Sequence, residues 1–138
     1  MSRPICESCG KPVIHREGVD WCWDRQVNEA VLQSRVIARA KRLGWEIQHV
    51  GKGIATFDSN GDPVYVTTGN AGWPDLTLAK AGHRLIFIEL KRQDGVVSTE
   101  QWKWLGLLNA CGARAVVIRP SDLREKRVNA ILKFGSPL

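Results

Sequence analysis

Trp73-Pro74-Asp75-Leu76-Thr77-Leu78-Ala79, followed after a short turn by Leu85-Ile86-Phe87-Ile88-Glu89-Leu90-Lys91, is the stretch on which the reading of this chain turns. The first segment alternates like a half-buried strand, and the second is an apolar run that suits a sheet neighbour, with Ala81-Gly82 turning between them. An acid that begins one strand then meets an acid that ends the next. Two carboxylates a few ångströms apart repel, and a bound divalent cation resolves the conflict. Their hard oxygens point to Mg²⁺ or Mn²⁺. Glu89 and Lys91 are two apart on extended chain, so both side chains leave the same face. A lysine there can orient a water and balance charge building on phosphate oxygens. The plainer alternative is Asp75 in a turn after Pro74, with Glu89 and Lys91 at a solvated strand end, because a short D…ExK pattern is common.

The surroundings weigh against that alternative. Gly72-Trp73-Pro74-Asp75, Phe87-Ile88-Glu89-Leu90-Lys91 and Val97-Ser98-Thr99-Glu100-Gln101-Trp102 follow in order, then Leu108 to Gly112 and Val116-Val117-Ile118-Arg119. From Asp24 to Pro120 the series resembles the VRR-NUC family, virus-type replication and repair nucleases of the PD-(D/E)XK superfamily, in its stand-alone phage and bacterial form. The resemblance implies an αβββαβ core, a mixed sheet flanked by helices. It implies Asp75 and Glu89 as metal ligands, helped by the backbone carbonyl of Leu90, with Lys91 as the catalytic lysine and Gln101 on the helix that follows. It also implies a glutamate on the first helix, acting near the metal and often through water, which Glu29 matches. Short members of this kind form homodimers and act on branched DNA such as four-way junctions.

Two of these residues have competing readings. Ser98-Thr99-Glu100-Gln101 has the form of a capping box, with Ser98 as N-cap and Gln101 reaching back, so Gln101 serves either the helix start or the site. Asp24 to Gly44 reads as one amphipathic helix carrying Arg25, Arg35, Arg39, Lys41 and Arg42. On it, Glu29 is either the family's glutamate or a solvated partner for Arg25 one turn earlier.

The 138 residues suffice for one good core, and the net charge is +6. Acids and bases balance over residues 1–22, so the whole basic excess lies beyond them. Such a surface attracts a phosphate backbone and makes binding salt-sensitive. Neither a membrane-length apolar run nor the apolar core of a signal peptide is present, which leads us to expect an intracellular protein without membrane contact; the resemblance implies the cytoplasm of a bacterium or phage-infected cell. Cys6-Glu7-Ser8-Cys9-Gly10 has the shape of half a zinc knuckle. Cys22 is the expected third ligand and His15 the fourth, with Asp20 and Asp24 as oxygen alternatives; free thiols in an irregular arm are the competing reading. Cys111 reads as a core residue.

Strands are expected over 45–50 and 64–68, with a hairpin pairing 54–57 and 64–66 around Ser59-Asn60-Gly61-Asp62. Thr67 to Gly72, rich in small residues, suits backbone running close to a ligand. Trp102 and Trp104 cannot share one buried helical face, so one is expected at a subunit contact, with stacking on a nucleobase as the alternative. A strand over 114–119 and a last helix from Ser121 through Lys133 complete the order. The expectation is a zinc arm over 1–23 and an α/β nuclease domain over 24–138. Its function would be Mg²⁺- or Mn²⁺-dependent hydrolysis of DNA, selective for branched structures. The alternatives are a zinc-armed DNA-binding module that does not cleave and a sequence-specific duplex cutter.

Overall fold

The computed structural model describes residues 15–16, 19–50, 53–66, 71–124 and 126–133. Its elements run β1 (His15–Arg16), β2 (Val19–Asp20), α1 (Trp21–Gln26), α2 (Glu29–Arg42), β3 (Glu46–His49), β4 (Gly53–Phe57), β5 (Pro63–Val66), β6 (Leu76–Ala79), β7 (Ile86–Leu90), α3 (Thr99–Ala110), β8 (Arg114–Ile118), α4 (Pro120–Arg124) and α5 (Arg127–Lys133). Four strands form a sheet in the order β3-β6-β7-β8, antiparallel except for the β7–β8 pair. A parallel neighbour requires a crossover, and α3 supplies it. Setting the hairpin aside, α2, β3, β6, β7, α3 and β8 follow the expected α-β-β-β-α-β order, a mixed sheet flanked by helices that fits a nuclease-like fold.

Alternation along the strands divides the interior into two cores. Leu76, Leu78, Ile86, Ile88, Leu90 and Ile118 leave one face and meet Leu32, Val36 and Ala40 of α2, with Val128 and Leu132 of α5. Leu32, Val36 and Ala40 recur every four residues, the spacing of a helical stripe laid on a sheet. Phe87 and Ala115 leave the opposite face and pack with Val97 and with Leu105 of α3.

The helix expected over 24–44 is two helices. Asn28 stands between them in extended conformation, its side chain accepting the Val31 N–H at 2.9 Å, so it caps α2 while α1 ends at Gln26. Val27 in the break is buried, which is why the apolar spacing continued across it. The last helix is likewise divided, with Lys126 at φ 61° between α4 and α5. Cys111 is exposed rather than buried, because it lies at the C-cap of α3, past the stripe that Leu105 and Leu108 present to the sheet.

The hairpin forms as expected from β4 and β5, with an irregularity between Ile54 and Thr56. The Asp58 carboxylate accepts the N–H groups of Asn60 and Asp62, each at 2.9 Å, which closes the turn. Of the expected zinc ligands, Cys6 and Cys9 lie outside the described residues; His15 falls in β1 and Cys22 in α1. Asp24, weighed as an oxygen alternative, is fully buried and engaged elsewhere: Arg124 donates Nε to its Oδ1 at 3.2 Å and an Nη to its Oδ2 at 3.1 Å. This two-pronged pair ties α1 to α4, and α1 itself runs across the boundary expected at residues 23 and 24.

Candidate active site

The β6–β7 register pairs Leu76 with Ile88, and one further step sets Asp75 opposite Glu89. Both then lie on the α3 face, since their neighbours Leu76, Ile88 and Leu90 fill the other core. Asp75 is held at both ends. Its carbonyl accepts the Val50 N–H at 3.0 Å, and its Oδ2 accepts the Leu90 N–H at 2.8 Å. The second bond fixes the carboxylate against the strand that carries Glu89.

The turn leading into Asp75 is seated on α3. Trp104 donates its indole N–H to the Ala71 carbonyl at 3.1 Å, while the Trp73 ring meets Trp104 and Phe87 edge-on, with centroids 5.0 and 5.5 Å away. Gly72 has φ +92°, and a Cβ built there would lie 2.6 Å from the Glu100 carbonyl carbon. Only glycine allows the turn to lie this close to the first turn of the helix. Thr67 to Asn70, the rest of the loop expected to border a ligand, lie outside the described residues.

Glu89 is only 3% exposed, in a strand with neighbours on both sides. Its Oε1 accepts from Gln101 Nε2 at 2.6 Å and lies 3.6 Å from Lys91 Nζ. Burial first, and the Asp75 charge second, push its carboxyl up from the ordinary 4.5 to about 7, against the opposing pull of Lys91. Lys91 is anchored by its own N–H, which donates to the Ile118 carbonyl at 3.1 Å.

Gln101 does both jobs that sequence reasoning set against each other. Its Oε1 accepts the Ser98 N–H at 2.8 Å, completing a capping box in which the Ser98 hydroxyl accepts the Gln101 N–H at 3.2 Å. Its Nε2 remains to reach Glu89. An amide has an acceptor end and a donor end, so one side chain starts the helix and orients the buried acid.

Glu29 is exposed and makes no described bond to Asp75 or Glu89. It stands in the first turn of α2, seven residues before Val36 and so close to the sheet-facing stripe. The sheet end that carries Asp75 and Glu89 is nearby: an Arg92 Nη reaches the Arg25 carbonyl at 3.4 Å, and Arg25, expected beside Glu29, reaches Asp94 at 3.2 Å. The chain beyond Lys91 is braced as well. One Nη of Arg119 donates to the carbonyls of Arg92 at 2.8 Å, Gln93 at 3.3 Å and Gly95 at 2.7 Å. Neither this brace nor the Trp104–Ala71 bond was foreseen; the Gly72-Trp73-Pro74 run was the one signal of a tightly seated turn.

Among the described residues, no three or more His, Cys, Asp or Glu side chains gather to hold a metal ion. Asp75 and Glu89 offer two facing carboxylates, and the backbone carbonyl of Leu90 is the third oxygen expected. This oxygen-only donor chemistry fits a hard divalent cation.

A mixed sheet flanked by helices, with a buried acid, a facing acid and a lysine at one strand end, places the molecule with nuclease-like α/β proteins. Residues 65–122 match the family model described as VRR-NUC domain, which supports placing the chain in the VRR-NUC family. The matched span runs from the end of β5 into α4 and includes Asp75, Glu89, Lys91 and Gln101; Glu29 lies before it. No curated protein and no solved structure matches the chain. A VRR-NUC domain implies a nuclease. Among the described residues no helix is long and apolar enough to cross a membrane.

Proposed function

We propose that this protein hydrolyses phosphodiester bonds of DNA with Mg²⁺ or Mn²⁺ at Asp75, Glu89 and the Leu90 carbonyl, as a PD-(D/E)XK-type endonuclease. The observation that carries the reading is the cross-strand meeting of Asp75 with Glu89, with Lys91 and Gln101 both on the Glu89 carboxylate. A divalent cation, when bound, polarises phosphate oxygens and acidifies water. The remaining work falls to the chain. Asp75, aligned by the Leu90 N–H, and Glu89, oriented by Gln101, present oxygens from two strands of one rigid sheet. Lys91 holds the attacking water and balances charge growing on the phosphate. Glu29 contributes from α2, through water.

The substrate we propose is branched DNA, cut by a homodimer in replication, recombination or repair inside a bacterial or phage-infected cell. Trp102, 58% exposed on α3, is available for the subunit contact. A structural zinc at Cys6, Cys9, Cys22 and His15 belongs to the same proposal, and metal analysis of untagged protein tests it: one zinc per chain is expected, and none would remove it.

The deciding experiment incubates the purified protein with labelled junction, flap and linear duplex DNA, with Mn²⁺ or with chelator. Cleavage of the branched forms that needs the cation and disappears in Asp75→Ala is expected. Binding without cleavage would overturn the nuclease reading, and cutting of linear duplex at a fixed sequence would replace the branched substrate.

A further inference from the structure

The end of the molecule remote from Asp75 and Glu89 carries a second concentration of positive charge. A cavity of about 470 Å³ is lined by Arg39, Arg42 and Leu43 at the C-terminal end of α2, with Asn129 and Lys133 of α5. Among the described residues that line it, none is a carboxylate. The position follows from the fold: β3 leaves this end and pairs Glu46 with Ala79, whereas its other end pairs His49 with Leu76, next to Asp75. Arg39 is held in place by bonds to the Leu123 carbonyl at 3.4 Å and to Asn129 Oδ1 at 3.5 Å. With its oxygen turned to Arg39, Asn129 keeps its NH₂ group for an acceptor. A pre-set guanidinium, a second arginine, a lysine and an amide donor around one hollow form a receptor for a phosphate group.

Cations at helix C-termini also complement the helix dipole, and Arg42 and Lys133 both stand in last turns. That role needs no shared hollow, and it does not explain why two helix ends turn three cations toward the same space. Arg35, Arg39 and Arg42, spaced by four and three, lie along one side of α2 and lead from the direction of the candidate site into the cavity.

We infer that this cavity is a distal phosphodiester site, which takes the backbone of the DNA being cut well away from the scissile bond. The inference rests on the proposed nuclease reading and adds the reach of the substrate. The 14 residues of α2 span about 21 Å at a rise of about 1.5 Å. At about 3.4 Å per base pair, this is roughly six base pairs. DNA arms shorter than that end before the cavity.

The test measures binding of labelled DNA with long and short arms by fluorescence anisotropy over a salt series, in an Asp75→Asn background so that nothing is cut. Arg42→Ala/Lys133→Ala is compared with the parent, and Arg42→Gln/Lys133→Gln serves if the alanine protein melts early. On long arms the variant is expected to lose about two phosphate contacts, a salt slope shallower by about 1.8. From about 50 to about 200 mM salt, the parent then loses about tenfold more affinity than the variant. On short arms the two should behave alike. An unchanged slope, or equal losses on long and short arms, would overturn the assignment. Inorganic phosphate raising the parent's melting temperature but not the variant's, with no difference on DNA, would mark a small-anion site and overturn it too. Cleavage by protein with an intact Asp75 is assayed on the same DNA, so failure of the nuclease reading shows separately from failure of the distal site.

Discussion

The two faces of the four-stranded sheet are made by the same strands and do different work. Toward α2 and α5, β7 turns Ile86, Ile88 and Leu90 into a continuous apolar core; toward α3 it turns Phe87 and then Glu89, with Lys91 next in the same direction. The α3 core is the smaller, and at its open end the polar groups begin. Alternation lets one short strand both anchor the domain and present the candidate site, so residues adjacent in sequence should fail in different ways when changed.

The sharpest separation is expected at Asp75 and Glu89. Asp75→Asn and Glu89→Gln keep the shape and an acceptor oxygen but lose charge, and cleavage of labelled DNA with Mn²⁺ should fall by about 10³-fold or more while melting stays cooperative. Collapse of the fold in either variant would mean that the α3 face is structural after all. Next in size is Ile88→Ala on the other face. Denaturant unfolding should register a loss of about 2–5 kcal/mol, with cleavage per folded molecule near wild type.

Gly72→Ala should blur the division, since its Cβ would press on the α3 backbone in a conformation that side chains rarely adopt. A cost on the order of 1–3 kcal/mol is expected together with slower cleavage, because the displaced turn carries Asp75. Wild-type stability and rate would show that the turn adapts. Gln101→Ala should cost about 1 kcal/mol through the lost cap and also lower cleavage, through the freed Glu89 carboxylate. A stability loss with unchanged cleavage would reduce Gln101 to its capping role.

The smallest effect is one of pH. Because the folded protein holds the Glu89 proton up to about 7, whereas the ordinary value is 4.5, the native state binds more protons than the unfolded chain between those values. Metal-free stability therefore falls as pH rises across that window and levels off above it. Melting temperatures at several pH values should show the slope in wild type and its loss in Glu89→Gln; parallel curves would mean that Glu89 ionises freely.

Much of this site could be read from the sequence because it lies in two strands and a helix start whose patterns are local. Asp75, Glu89 and Lys91 followed from alternation, and the α3 start from Ser98 to Gln101. Features that depend on distant partners could not be read. Asp24 and Arg124 are 100 positions apart, and nothing near either announces the pair. The break before α2 was hidden because Val27 is buried in step with the helix beyond it, leaving Asn28 as the sole local sign. Gln101 was treated as a choice between roles because a sequence letter does not display the two ends of an amide.

The bond from the Leu90 N–H to Asp75 Oδ2 means that a backbone amide inside the sheet is protected by a side chain of the candidate site. Its chemical shift and hydrogen-exchange rate thus report the position of the Asp75 carboxylate. On the proposed metal site, titrating Mg²⁺ should shift that one resonance as the acid turns from its own backbone toward an ion, without DNA and without catalysis; a resonance that stays put would count against Asp75 as a ligand.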